Sequence, residues 1–436
     1  MIIYQTVTLM NLPSTKVLLL VSLAYLGALS TVQAQFTLSG QIRPRAELRN
    51  GFKTPNTAAN DPAFFIEQRS RLNVDYRTSQ LGFYLSLQDV RIWGNTNQIY
   101  KDDPALTNVY EAWGEYRFSP QSSLRVGRQA LDYDNARFLG DLDWAQQGRS
   151  HDAAKFVYSD TSGFALHVAA AFNQNVPFEP GQLSGTFYDL NNYKTMQFIW
   201  LHKDWNTANA SLLIHNDGRQ QADSSIAFRQ TYGLIAEKAL ENVTLGGELY
   251  YQGGKDAGDR NVSAWLIALQ ASFKTAVTPL TIGVDYLSGS QRGDTESNTF
   301  VPLYGTNHKF YGFMDYFYVG NNHGQEGRTA GLVDIYLQSK FTLGEKSALI
   351  AHVHHFQSPT TVYAAEGANE ELSSGLGEEI DLVYNLNLSK EVNFKLGYSQ
   401  LFSTDALEML KGGGEREGMN QWAWAMLTFT PTFLAQ

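Results

Sequence analysis

Arginine is the residue type in this chain with the most chemistry to offer, and its spacing decides what that chemistry is. Thr37, Ser39, Gln41, Arg43, Arg45, Glu47 and Arg49 share one parity of an unbroken alternation, while Phe36, Leu38, Gly40, Ile42, Pro44, Ala46 and Leu48 share the other. Period two puts the three guanidiniums on one face of a strand. Arg69, Arg71 and Arg77 continue that face on the next alternating segment, and Arg117 and Arg125 extend it to the fourth and fifth. Neighbouring strands lie about 4.8 Å apart, so these groups form one basic patch. Guanidinium forks grip carboxylates bidentately, and arginine ladders in a channel select anions. Glu47, Glu67, Asp75, Glu111 and Glu115 share the same faces, which leaves cross-strand bracing open as a second role. Arg91 and Arg128 share the parity of apolar Leu87 and Val126 and so break the simple inward pattern, and a β-bulge is expected to turn them inward.

The charge is distributed unevenly. The chain carries a net −10, yet residues 36–158 hold fifteen Lys+Arg against fourteen Asp+Glu, and residues 159–436 hold seventeen against twenty-nine. Twelve of the eighteen arginines lie in the first block. The basic character therefore belongs to one wall and not to the molecule.

Two connecting segments carry further candidates. Leu131 to His151 (LDYDNARFLGDLDWAQQGRSH) contains Arg137 and Arg149 beside aromatic anchors and carboxylates, and is expected to fold into the lumen as a constriction. Leu303 to Phe317 is dense in aromatics, which suit either stacking on sugar rings or packing against a barrel mouth. His352, His354 and His355 invite a metal reading, but only His352 and His354 share a strand face and the chain has no cysteine. A polar lumen surface is the better account, and no metal or cofactor is expected. No motif assembles Ser, His and Asp, so no enzyme is expected, and Gly412 to Gly414 lacks the strand-to-helix setting of a phosphate cradle.

The elements that position these residues read as strands throughout. Eighteen period-two runs are predicted at 36–49, 64–78, 80–93, 108–119, 122–130, 152–160, 163–173, 193–205, 207–216, 229–238, 242–253, 260–274, 278–289, 328–342, 346–358, 377–389, 391–402 and 419–431. Without 152–160 and 229–238 the count falls to sixteen. Short links follow the even-numbered strands and longer polar segments follow the odd-numbered ones. With the apolar face turned to lipid and the polar face to a water-filled lumen, this is an all-β, transmembrane antiparallel up-and-down barrel with short periplasmic turns and long extracellular loops. About 400 residues cannot supply a 22-stranded barrel with a separate plug domain, so diffusion through a channel is the default. The composition agrees, with 13% aromatic and only 17% charged residues, and no apolar run long enough for a transmembrane helix follows residue 34. Lys16, the apolar run Val17 to Leu29 and the small-residue pattern Val32, Gln33 and Ala34 read as a signal peptide over residues 1–34, with the barrel at 35–436. The register of the closing strand is open, because Phe433 stands three positions short of the end.

The segments QDVRIWG (88–94), RVGRQ (125–129), WAQQGR (144–149) with Asp152 and Ala153, and Leu303 to Met314 together resemble the alginate-export family of outer-membrane proteins. That resemblance implies an eighteen-stranded monomeric barrel with an electropositive constriction through which the anionic polysaccharide alginate leaves the cell. Arg91, Arg125, Arg128 and Arg149 fall inside the matching motifs; Arg43, Arg45, Arg69 and Arg71 match only its arginine-rich opening strands. The expected function is a passive outer-membrane channel for an anionic oligo- or polysaccharide, selected by Arg43, Arg45, Arg49, Arg69, Arg71, Arg91, Arg117, Arg125, Arg128, Arg137 and Arg149. The alternatives are a loop-closed structural or interaction barrel and a general porin for small anions. Expected partners are outer-membrane lipid and the anionic cargo, with no nucleic acid.

Overall fold

The computed structural model describes residues 34–58, 60–97, 99, 107–175, 177, 188, 192–317, 323–412 and 418–436. The signal peptide expected at 1–34 lies outside the described residues except for Ala34. The wall consists of β1 (Gln35–Asn50), β2 (Ala63–Arg77), β3 (Leu81–Ile92), β4 (Thr107–Arg117), β5 (Ser122–Gln129), β6 (His151–Ser159), β7 (Phe164–Phe172), β8 (Thr195–Trp205) and β9 (Ala208–Gln220). It continues through β10 (Ile226–Ala239), β11 (Val243–Gly254), β12 (Ala264–Phe273) and β13 (Leu280–Leu287). A loop hairpin, β14 (Gly324–Gln325) and β15 (Arg328–Thr329), precedes β16 (Leu332–Gly344), β17 (Ser347–Gln357), β18 (Gly375–Asn387), β19 (Val392–Ser403) and β20 (Asn420–Phe429). A short β21 (Thr432–Ala435) follows, and the one α-helix among the described residues, α1, spans Asp405–Leu410.

Each wall strand pairs antiparallel with its sequence neighbours, and β20 pairs back onto β1 with Glu47 opposite Trp424 and Arg49 opposite Trp422. That pairing closes an eighteen-stranded barrel and leaves no free edge. The two strands on which the count depended, β6 and β10, are both wall strands. The last strand's open register is also settled: β21 pairs with β1 after a register shift, with Thr37 opposite Ala435.

The outward parity is apolar as expected, with Phe83, Val126, Leu234, Leu269 and Leu396 all about half exposed. Exposed Tyr116, Phe118, Trp205 and Phe341 mark the periplasmic ends of the strands, and Phe64, Trp93, Phe172 and Phe402 mark the opposite ends. These are the two interfacial girdles.

The inner face departs from expectation. It is not uniformly polar, and its lumen is not simply water-filled. Met196, Phe198, Leu213, Tyr250, Leu266 and Trp422 point inward and are buried in one cluster with Leu131, Phe138, Leu139, Tyr304, Tyr311, Met314 and Tyr316 of the long loops. The loops supply an interior core. Segment 130–150 (loop 3) and the stretch 300–317 of the segment between β13 and β16 (loop 7) enter the barrel and pack against its inner wall.

Candidate functional site

Register places the arginines before any loop reaches them. Arg43 stands directly opposite Arg69, Gln41 opposite Arg71, and Arg45 opposite Glu67. Like charges directly across a strand pair destabilise it. The Arg43–Arg69 pair therefore requires a counter-charge, and loop 3 delivers one. Asp143 lies 3.3 Å from Arg43, 2.9 Å from Arg69 and 3.4 Å from Arg71. Three guanidiniums, all nearly buried, share a single half-exposed carboxylate. Burial alone raises the pKa of the Asp143 carboxyl, but Arg69, Arg43 and Arg71 outweigh it and hold the group below its ordinary value.

Loop 3 binds the same arginines through its backbone and side chains. Gln146 Oε1 accepts from Arg43 Nε at 3.1 Å, and Trp144 O accepts from Arg45 Nη1 at 2.9 Å. Arg45 lies 4.2 Å over the Trp144 ring and Arg71 3.6 Å over the Tyr110 ring. Tyr110 is the extra residue of a bulge between β3 and β4, where Ser86 faces Glu111 but Leu87 faces Val109. Gly148, at φ +65°, passes so close that a Cβ there would stand 2.7 Å from Tyr110 and 2.9 Å from Arg71 Nη2. Glycine relieves both the left-handed backbone and the close contact at this crossing.

The remaining arginines separate into braces, anchors and outliers. Arg45 also pairs with Glu47 and with the Glu67 carboxylate, and Arg49 pairs with Glu47 at 2.9 Å. Arg117 and Arg125 share Glu115 near the periplasmic rim, with Arg125 stacked 3.8 Å over Trp113. Arg137 crosses to the acidic wall: its Nε donates to Glu248 at 3.0 Å, and its Nη1 donates to Asp285 at 2.6 Å and to Tyr311 at 3.0 Å. Burial opposes the Arg137 charge, yet Asp285 and Glu248 hold its pKa well above the ordinary arginine value. Arg149 donates to Gly140 O and Gly305 O, tying loop 3 to loop 7.

Arg91 and Arg128 correct the sequence expectation. Arg91 is opposite Gln68, on the parity opposed to Arg69, and Arg128 is opposite Ala112 and Asp152. Both lie on the outer face, forked onto Asp89 and Asp152. The bulge that was to turn them inward exists, but it sits in β4 and turns Tyr110 instead.

The two loops form one body. Gly140 N donates to Tyr304 O at 2.8 Å and Thr306 N to Ala136 O at 2.8 Å, while Trp144 stacks on His308 with ring centroids 4.5 Å apart. The loop 7 aromatics thus pack inside the barrel. Two cavities remain toward the periplasmic end. One, of about 270 Å³, is lined by Gln41, Arg43, Asp143, Asn393 and Lys395; the other, of about 310 Å³, is lined by Asp134, Arg137, His202, Glu237, Glu248 and Tyr336. Sequence reasoning missed Asp143 as the common counter-ion and Lys395 as its neighbour. Only the presence of both charge signs in loop 3 hinted at the former.

A family model described as alginate export matches residues 34–416. No curated protein matches the chain. Among solved structures, Pseudomonas aeruginosa OpdL superposes with a TM-score of 0.60 at 13% identity, covering 92% of this chain and 99% of that one. Acinetobacter baumannii OccAB4 gives 0.60 at 10% identity, covering 93% and 99%. Pseudomonas aeruginosa OccK2 (OpdF), solved in complex with glucuronate, gives 0.56 at 13% identity, covering 92% and 97%. At these identities the similarity is one of fold.

Proposed function

The chain belongs to the alginate-export family, and from that membership we propose that it passes an anionic, uronate-containing oligo- or polysaccharide along its arginine wall. Family and barrel fold together support an outer-membrane channel. The observation that carries the substrate reading is the sharing of one loop carboxylate by Arg43, Arg69 and Arg71. Such a trio is a preformed carboxylate receptor, and Asp143 stands in it as a uronate group would. A displaced loop 3 would hand the same three forks to the cargo. The cavity lined by Arg43, Asp143, Glu391 and Lys395 reaches the Arg43 member of this trio from the periplasmic side, where Asp143 competes with an incoming polyanion for that guanidinium. OccK2, whose fold is shared, was solved with a uronate bound, which is consistent with this chemistry.

A second reading, a barrel closed by its own loops, is favoured by the packing of loops 3 and 7 through the lumen. Planar-bilayer recording under a salt gradient separates the two. The channel reading expects an anion-directed reversal potential that collapses when Arg43, Arg69 and Arg71 all become Ala. A cation-directed potential indifferent to those substitutions sinks it. The closed reading expects no conductance, even after loop 3 is shortened.

A further inference from the structure

We propose that His352, His354 and Asp381 form a binding site for a divalent transition-metal ion of the zinc class, on the inner wall beneath loop 7. His352 and His354 alternate on β17 and so share its inner face, and register sets Asp381 of β18 opposite His352 and Glu379 opposite His354. One ligand atom from each of His352, His354 and Asp381 lies within 4.8 Å of the others. An ion bound at about 2.0–2.1 Å by tetrahedral ligands holds them roughly 3.3 Å apart, a closure within reach of side-chain torsions.

The hydrogen bonding of the cluster is that of a site prepared for a cation. Asp334 of β16 accepts from His354 Nδ1 at 2.9 Å, which fixes the ring and directs Nε2 toward Asp381. Carboxylate–histidine pairs of this kind orient the imidazole ligands of metal centres. His354 is only 3% exposed, and its Nε2 is buried with no hydrogen-bond partner, 3.8 Å from Asp381 Oδ2. That distance is too long for a hydrogen bond. His352 Nδ1 is likewise buried and unpartnered. Two orphaned ring nitrogens on one patch would each cost stability without an occupant. Ser399 hydrogen-bonds the Asp381 carboxylate and orients it from the next strand.

Two imidazoles with a carboxylate suit zinc, nickel, cobalt or ferrous iron and not calcium or magnesium, which take oxygen ligands. Loop 7 roofs the site. Met314 N donates to Glu379 Oε1 at 2.8 Å, and the Phe313 ring lies 5.0 Å from that of His352. Gly312, at φ +81°, passes within 2.7 Å of the Glu379 carboxylate by its would-be Cβ. Only His352 is half-buried, so access is from its side.

The test uses the full-length barrel, folded in detergent micelles, free of affinity tag and stripped of metal with a chelator. Titration calorimetry with Zn²⁺ and visible spectroscopy with Co²⁺ should show one ion per barrel, with the intense bands of low-coordinate cobalt. His354→Gln and Asp381→Asn should each weaken Zn²⁺ at least 10-fold, and Asp334→Asn about 10- to 100-fold. Should His354→Gln fail to fold, His352→Gln, at a half-buried position, carries the same expectation. Folding is followed by heat-modifiable gel mobility. No stoichiometric uptake by the folded barrel, or uptake unaltered in His352→Gln and Asp381→Asn, would overturn the site.

Discussion

At the scale of single residues, the central fact is an imbalance around Asp143. One carboxylate serves three guanidiniums, and Arg71 Nη2 remains buried with no hydrogen-bond partner. Asp143→Asn removes the only anion in the trio and should leave the barrel folded while releasing loop 3, raising both conductance and anion preference in bilayers. The same carboxylate sets an acid limit. Its folded-state pKa lies below its unfolded value, so it stabilises docking at and above the ordinary carboxylate range, about 3.9 for aspartate, and that contribution is lost as pH falls through the depressed value. Conductance should therefore hold steady from pH 7 to 5 and rise only on stronger acidification. An acid step of the same size in Asp143→Asn would assign it to another group. Arg137 presents the opposite case. It is fully enclosed between Glu248 and Asp285, both nearly buried. Arg137→Met strands two carboxylates and should cost about 3–5 kcal/mol, read as a lowered unfolding temperature in the heat-modifiability assay.

At the scale of elements, the strands were legible and the loop interior was not. Alternation reports directly which side chains face lipid, so the eighteen predicted runs fall within a few residues of the wall strands. The largest lapse was the β9–β10 hairpin, where Asp217, Gly218, Arg219 and Gln220 read as loop although β9 runs to Gln220. The arginine face of β1 and β2 was readable for the same periodic reason, and Arg91 and Arg128 failed because a bulge in one strand cannot be located from its neighbours. The loop core was illegible because it depends on contacts between segments far apart in sequence, such as Phe138 with Tyr304 and Trp144 with Trp424. A signal did exist: β8 carries Met196 and Phe198 on one parity and Ile199 and Leu201 on the other, and a strand apolar on both faces is covered on both. Asp381 was equally invisible as a neighbour of His352, since register is not written in either strand alone. Gly148 tests the loop body as a unit. Gly148→Ala adds about 1–2 kcal/mol of left-handed strain plus the contact with Tyr110. Loop 3 should then become protease-sensitive within residues 130–150 while the wall keeps its heat-modifiable mobility; unchanged protection would show that the crossing tolerates a side chain.

At the scale of the whole molecule, charge is partitioned between two walls and spanned by one loop. Loop 3 holds the basic wall through Asp143 and the acidic wall through Arg137, so it is clamped from both sides with opposite signs. Moving it exposes guanidiniums on one side and carboxylates on the other. On the proposed channel reading, selectivity then depends on which wall the permeating ion approaches, and a cavity borders each, at Arg43 and Lys395 on the basic side and at Glu237 and Glu248 on the acidic side. Such selection is electrostatic and must weaken with salt. The screening length is about 10 Å at 0.1 M and 3 Å at 1 M, so a cargo approaching the partly exposed edge of the trio loses its attraction while the buried pairs keep theirs. The anion-directed reversal potential should accordingly shrink between 0.1 and 1 M KCl at a fixed gradient ratio. Arg91 and Arg128 provide the spatial control, because they carry the same charge on the outer face, each already forked to an aspartate. Replacing both with Ala should leave the reversal potential unchanged and cost at most about 1 kcal/mol per pair in stability. If that outer substitution shifts the potential as much as the loss of Arg43, Arg69 and Arg71, the selectivity arises from net charge near the membrane surface and not from the lumenal wall.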